Sequence, residues 1–169
     1  TMLKEVVYSG TFDPVTKGHL NILKRSVACF DVVHVLIARN PSKKCWFSSE
    51  ERKDMISSSI KENLEKSDSV RVKVHIFDGL ITDWMRENEI NLIVRGLRAV
   101  SDYEYELQMS LMNSQLLKGC ETIFMVADSK WSFVSSRLIK EVALLGGDFS
   151  KQVPKCIIDN IKKRVDAGS

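Results

Sequence analysis

Gly10-Thr11-Phe12-Asp13-Pro14-Val15-Thr16-Lys17-Gly18-His19 joins a short apolar run, Val6-Val7-Tyr8, to a helical pattern of Leu20, Ile22, Leu23 and Val27. A glycine-containing turn that leaves a strand and opens a helix makes an anion site. Its backbone N–H groups point at the ligand, and the helix dipole favours negative charge. His19 falls in the first helical turn, beside any phosphate held there. The dipole disfavours protonation at that position, so the imidazole is expected to act as a neutral hydrogen-bond donor. The spacing is neither that of a P-loop nor that of a dinucleotide-binding glycine turn. Taken alone, Gly18-His19 fits a helix cap with an incidental histidine equally well.

Outward from this turn, apolar runs alternate with helical patterns. Strands are predicted at Glu5–Ser9, Val32–Ala38, Val70–Phe77, Asn91–Val94 and Thr122–Val126. Helices are predicted at Gly18–Phe30, Ser49–Leu64, Ile81–Asn88, Asp102–Leu117, Ser135–Leu145 and Pro154–Val165. Strands separated by helices of this length imply one α/β, Rossmann-like, doubly wound domain over residues 1–169, with a five-stranded parallel sheet and helices on both faces. Residues 150–169 supply a C-terminal helix, and Thr1, which precedes Met2, is read as left over from expression.

The 169 residues fit one domain, and 44% hydrophobic with 28% charged residues is enough for a real core. Twenty-five basic against 22 acidic residues is too balanced for a nucleic-acid surface. Cys29, Cys45, Cys120 and Cys156 lie far apart, which argues against a zinc site or disulfide framework and for reduced thiols in the cytoplasm. No signal peptide or membrane-length apolar run is seen.

Ligands of open α/β sheets bind beyond the carboxyl ends of the strands. The predicted strand ends here bring Thr11, His19, Lys43, Arg95, Arg98, Ser135 and Ser136 to one rim. These are cations, hydroxyls and amide donors, without a metal-ligand cluster, and they suit two phosphorylated ligands side by side. Arg95 at a strand end beside Gly96 favours anion recognition over a structural ion pair, since its fork matches phosphate. Lys43-Lys44 alone could be a solvated loop, and Ser135-Ser136 an ordinary N-cap. Trp131 and Phe133 read as packing residues, and His34 and His75 as structural ones.

Thr16-Lys17-Gly18-His19 resembles the T-x-G-H element of the nucleotidyltransferase superfamily. Four segments in order narrow the resemblance to the bacterial phosphopantetheine adenylyltransferases: Gly10–Pro14 with Gly18-His19, Asn40–Lys44, Arg95–Glu106 and Trp131–Ser136. The match runs from Tyr8 to about Pro154. It implies transfer of the adenylyl group of ATP to pantetheine 4′-phosphate, by direct in-line attack without a covalent enzyme intermediate. His19 and Thr11 would stabilise the α-phosphate oxygens, with Lys43 also at the reacting centre. Thr11, Lys43 and Arg95 would hold the acceptor phosphate, with Leu80 and Ile81 beside the pantetheine arm. The ATP site would draw on Thr11, Phe12, His19, Gly96, Leu97, Arg98, Glu106, Trp131, Ser132, Phe133, Val134, Ser135, Ser136 and Arg137. Arg137 stands where the family usually has Ser or Thr, and Ser9 where it usually has Pro. The resemblance also implies Mg²⁺ as MgATP without a dedicated protein cage, a homohexamer, feedback by coenzyme A, and neither nucleic-acid nor membrane partners.

Other readings are a related enzyme using nicotinamide mononucleotide or glycerol 3-phosphate, a non-catalytic nucleotide sensor, and a structural oligomer. The segment Arg95–Glu106 speaks against the first. The full set Thr11, His19, Lys43, Arg95 and Arg98 speaks against the second, because binding alone would not need every member. A class I aminoacyl-tRNA synthetase fragment shares the turn, but the chain is too short and too neutral for a tRNA surface.

Overall fold

The computed structural model describes residues 4–39, 42 and 44–168, apart from the side chains of residues 100 and 101. Five strands form one sheet: β1 (Glu5–Gly10), β2 (Val32–Ala38), β3 (Val72–Phe77), β4 (Leu92–Leu97) and β5 (Glu121–Val126). Every pairing is parallel and the order is β3-β2-β1-β4-β5, so the expected doubly wound sheet is present. The helices are α1 (Lys17–Cys29), α2 (Ser49–Asn63), α3 (Lys66–Ser69), α4 (Ile81–Glu87), α5 (Val100–Leu116), α6 (Ser136–Leu144) and α7 (Ile158–Asp166).

Side-chain alternation along the strands makes two cores. Val6, Tyr8, Val33, Val35, Ile37 and Val94 face α1, α2, α6 and α7, where Leu23, Ile56, Ile139 and Ile161 are buried. Val7, Leu36 and Ile93 face the other way, onto Met85 of α4 and Ile90. β2 is apolar on both sides because both faces are covered.

Three details differ from the sequence expectation. Residues 70 and 71 lie outside β3, which starts at Val72 after the short α3 that the polar run Lys66–Ser69 did not signal. β4 continues past Val94 to Leu97. The C-terminal helix opens as a 3₁₀ turn, Lys155–Ile157, before α7.

Strand order reverses between β1 and β4, so a crevice is expected at their carboxyl ends. The ladder there is short. It pairs only Val7 with Ile93 and Tyr8 with Val94, although β1 runs to Gly10 and β4 to Leu97. Beyond Val94 the two strands part, and side chains fill the opening. Gly96 faces α1 at this point, and a Cβ there would stand 2.9 Å from Cγ1 of the buried Ile22. Gly96→Ala is therefore expected to destabilise the fold by about 1–3 kcal/mol through overpacking, read as a fall in the midpoint of denaturant unfolding.

Candidate active site

The crevice is a cavity of about 350 Å³ walled by the ends of β1 and β4, the start of α1, and the 127–137 segment. Thr11, Phe12, His19, Arg95, Gly96, Arg98, Glu106, Trp131, Val134, Ser135, Ser136 and Arg137 all line it, so most of the expected ATP set converges from four segments. Leu97, Ser132 and Phe133 do not line it. Ile81 lines a second cavity of about 110 Å³, which shares Ser9, Arg95 and Glu106 with the first. Lys43 lies outside the described residues.

His19 is held by the helix start it belongs to. Thr16 is the N-cap of α1, and its hydroxyl accepts from the His19 N–H at 3.3 Å. In return the Thr16 N–H donates to Nδ1 of His19 at 2.9 Å. This is a capping box with histidine where glutamate is usual. Because Nδ1 accepts, the ring proton belongs on Nε2, which meets no protein acceptor among the described residues. Burial first, then the positive charges of Arg98 and Arg95, lowers the His19 pKa from 6.5 to about 3. The ring is thus a neutral donor, as the sequence implied, with burial rather than the helix dipole as the leading cause. Phe12 packs edge-on against it at 4.9 Å between ring centres.

The two inner arginines are already paired. Arg95 forks onto Glu106 of α5, with Nε and Nη2 donating at 2.8 and 2.7 Å, and its Nη1 donates to the Ser9 carbonyl at 2.5 Å. That carbonyl belongs to the unpaired end of β1, so the guanidinium takes the place of the missing ladder. The structure shows the ion pair that the sequence reading set second, on a residue that also lines the cavity where anion recognition was expected. Arg98 donates to Asp102 at 3.1 Å and to the Val134 carbonyl at 3.1 Å, tying β4 to the far wall. An incoming phosphate would compete with these carboxylates for guanidinium groups that are held in place beforehand. Arg137 instead lies out at the mouth, 89% exposed and paired with Glu141 at 3.1 Å.

The far wall rests on α1 and α6. Asn21 donates to Asp128 at 2.7 Å, and Arg25 donates to the Val126 carbonyl at 2.7 Å. The Ser135 hydroxyl caps α6 by accepting from Leu138 N–H at 3.1 Å, leaving the helix N-terminus facing the cavity. Ser136 donates to the Pro14 carbonyl at 2.7 Å, joining that helix to the turn after β1. The Lys17 and Lys130 ammonium groups lie 5.8 and 4.9 Å from the Trp131 ring centre and add positive charge at the entrance.

Sequence reasoning missed Tyr8, Asp13 and Asp102. Tyr8 lines the cavity from a strand position, and burial pushes its phenol above the ordinary range, so it stays a neutral hydroxyl. Asp13 is buried, accepting from the N–H groups of Trp46 and Phe47 at 2.9 and 3.0 Å and pairing with Lys140 at 3.1 Å. Only the close spacing of Arg98 and Asp102 was readable as a signal. Among the described residues no group of three His, Cys, Asp or Glu side chains could hold a metal ion. Asp102 and Glu106 are both engaged by arginines.

Residues 7–142 match the cytidylyltransferase-like family model. A phosphopantetheine adenylyltransferase of Thermotoga neapolitana is 46% identical over 161 residues, covering 93% of this chain and 96% of that protein. One from Petrotoga mobilis is 44% identical over 163 residues, covering 96% and 97%. Among solved structures, a Plasmodium falciparum nicotinic acid mononucleotide adenylyltransferase complexed with NaAD superposes with a TM-score of 0.72 at 16% identity over 96% of each chain, a likeness of fold.

Proposed function

The chain belongs to the phosphopantetheine adenylyltransferases, within the cytidylyltransferase-like nucleotidyltransferases, and from that membership we propose that it joins ATP to pantetheine 4′-phosphate by direct in-line attack, giving dephospho-coenzyme A and pyrophosphate. The observation that carries this reading is a neutral His19 donor and the Arg95 fork on one rim, between two cavities that share Arg95.

ATP takes the larger cavity. Arg98, Ser135 and Ser136 hold its β- and γ-phosphates, helped by the N-terminus of α6. His19 Nε2–H and Thr11 meet the α-phosphate oxygens as charge builds on them. The acceptor lies along the smaller cavity past Ile81, with its phosphate on Arg95 and Lys43; Lys43 takes this role from its motif. Arg95 gives up part of its hold on Glu106 to do so. No side chain acts as nucleophile, so catalysis rests on positioning and charge stabilisation. Mg²⁺ would be held by the ATP phosphates and waters rather than by Asp102 or Glu106, which arginines engage, and would neutralise phosphate charge there.

The setting is cytoplasmic, and none of the described helices is long and apolar enough to cross a membrane. The assembly is a homohexamer. The hexamer is carried from the family resemblance; the outer face of α5, where Tyr105, Leu111 and Met112 are each more than half exposed, offers apolar surface for a contact between subunits. Coenzyme A, which contains the product, feeds back on the same two cavities.

Pyrophosphate release from MgATP tests the proposal, with pantetheine 4′-phosphate, unphosphorylated pantetheine, nicotinamide mononucleotide and glycerol 3-phosphate as acceptors. Release with the first alone is expected. Release with a mononucleotide and none with the first would overturn the substrate assignment, and tight ATP binding without release would favour a sensor. In the same assay Arg137→Ser should change KM for ATP by less than about tenfold, under about 1.4 kcal/mol, because Arg137 lies in solvent with Glu141.

A further inference from the structure

Arg52 is 3% exposed, and among the described residues no carboxylate pairs with it. Its donors go to backbone carbonyls. Nη1 reaches Thr11 at 2.7 Å and Ala38 at 3.1 Å, and Nε reaches Phe47 at 3.2 Å and Ser48 at 3.3 Å. One guanidinium from α2 thus ties the turn after β1 to the end of β2 and to the start of its own helix. Burying an arginine on neutral acceptors alone is costly, which makes its place beneath the site informative.

The Thr11 contact has a direct geometric consequence. In a trans peptide the C=O and the following N–H point in opposite directions. Arg52 draws the Thr11 carbonyl inward, so the N–H of Phe12 is turned the other way. That N–H meets no acceptor among the described residues. Phe12 itself has φ 51°, a left-handed conformation unfavourable for a bulky side chain and held only where the surroundings enforce it. Thr11 and Phe12 both line the larger cavity.

We propose that Arg52 is a positioning residue for adenylyl transfer: it sets the Thr11–Phe12 peptide so that the Phe12 N–H serves the reacting phosphate as a fixed anion donor. This rests on the functional reading above.

Arg52→Lys keeps the charge but cannot span the four carbonyls. A small misplacement of this kind costs about a hundredfold in kcat, with KM for ATP within about fivefold of the parent chain. A folded variant with kcat within about threefold of the parent would overturn the proposal, as would equal losses in kcat and ATP affinity together. The unaltered protein gives a second test that does not depend on the variant folding. Its Phe12 amide resonance, in ¹⁵N-labelled chain, should move when MgATP is added, and an unmoved resonance under saturating MgATP would overturn the proposal. If the unaltered chain fails to turn over pantetheine 4′-phosphate, the functional reading falls, while a Phe12 amide resonance that moves with MgATP in the unaltered chain and not in Arg52→Lys still ties Arg52 to that donor.

Discussion

Replacing His19 by Ala should lower kcat by about a hundred- to a thousandfold, some 3–4 kcal/mol, the usual loss on removing one preorganised donor from a developing oxyanion. KM for ATP should move much less, because the bond strengthens as charge develops. The variant should still fold, since the Thr16 hydroxyl remains to cap α1. Single-turnover kinetics beside a thermal melt separate these effects. With its pKa near 3, His19 is neutral throughout ordinary working pH, so the rate profile between about pH 5 and 9 should carry no inflection from this ring. The stability consequence has a definite sign. As pH falls from 6.5 towards 3, the unfolded chain takes up a proton that the folded ring refuses. Stability is therefore lost with falling pH across that window, and His19→Ala removes this part of the acid sensitivity. Melting temperature against pH for both chains measures it.

Arg95→Ala should raise KM for pantetheine 4′-phosphate about a hundredfold, close to 3 kcal/mol, while KM for ATP stays near its parent value. It should also destabilise the fold. The Glu106 side chain, 12% exposed, loses both of its short bonds, and the Ser9 carbonyl loses the donor that bridges the parted strands. Breaking a half-buried pair of this kind costs about 2–4 kcal/mol. The two effects can be told apart. Replacing both partners with apolar residues, Arg95→Met with Glu106→Leu, should recover much of the stability and none of the acceptor affinity. Denaturant unfolding and acceptor titrations on the three chains provide the check. A double variant that regained acceptor affinity would remove Arg95 from the phosphate site.

Much of this architecture was readable because its signals are local. The apolar run Val32–Ala38 is a buried strand, α1 and α2 begin within a residue of the expected Gly18 and Ser49, and the alternation of strands and helices gives a parallel sheet. Signals that depend on tertiary packing were not readable. β4 runs on to Leu97 because its neighbour β5 pairs with it that far, which Arg95 and Gly96 in isolation do not suggest. Tyr8 looks like any strand residue until the strands part beside it. The roles of Asp13 and Arg52 depend on backbone groups more than 30 residues away, and no spacing rule reports those. Arg95 reads in the sequence as an anion site, and its ion pair with Glu106, a residue eleven positions on in α5, appears only once the helix is packed against β4.

The most direct test follows the atoms. Pantetheine 4′-phosphate carrying ¹⁸O in its phosphate would be incubated with MgATP and the chain, and both products weighed. Attack on the α-phosphorus predicts labelled dephospho-coenzyme A and unlabelled pyrophosphate in equal amounts. Label in the pyrophosphate, or ATP consumption without dephospho-coenzyme A, would contradict it.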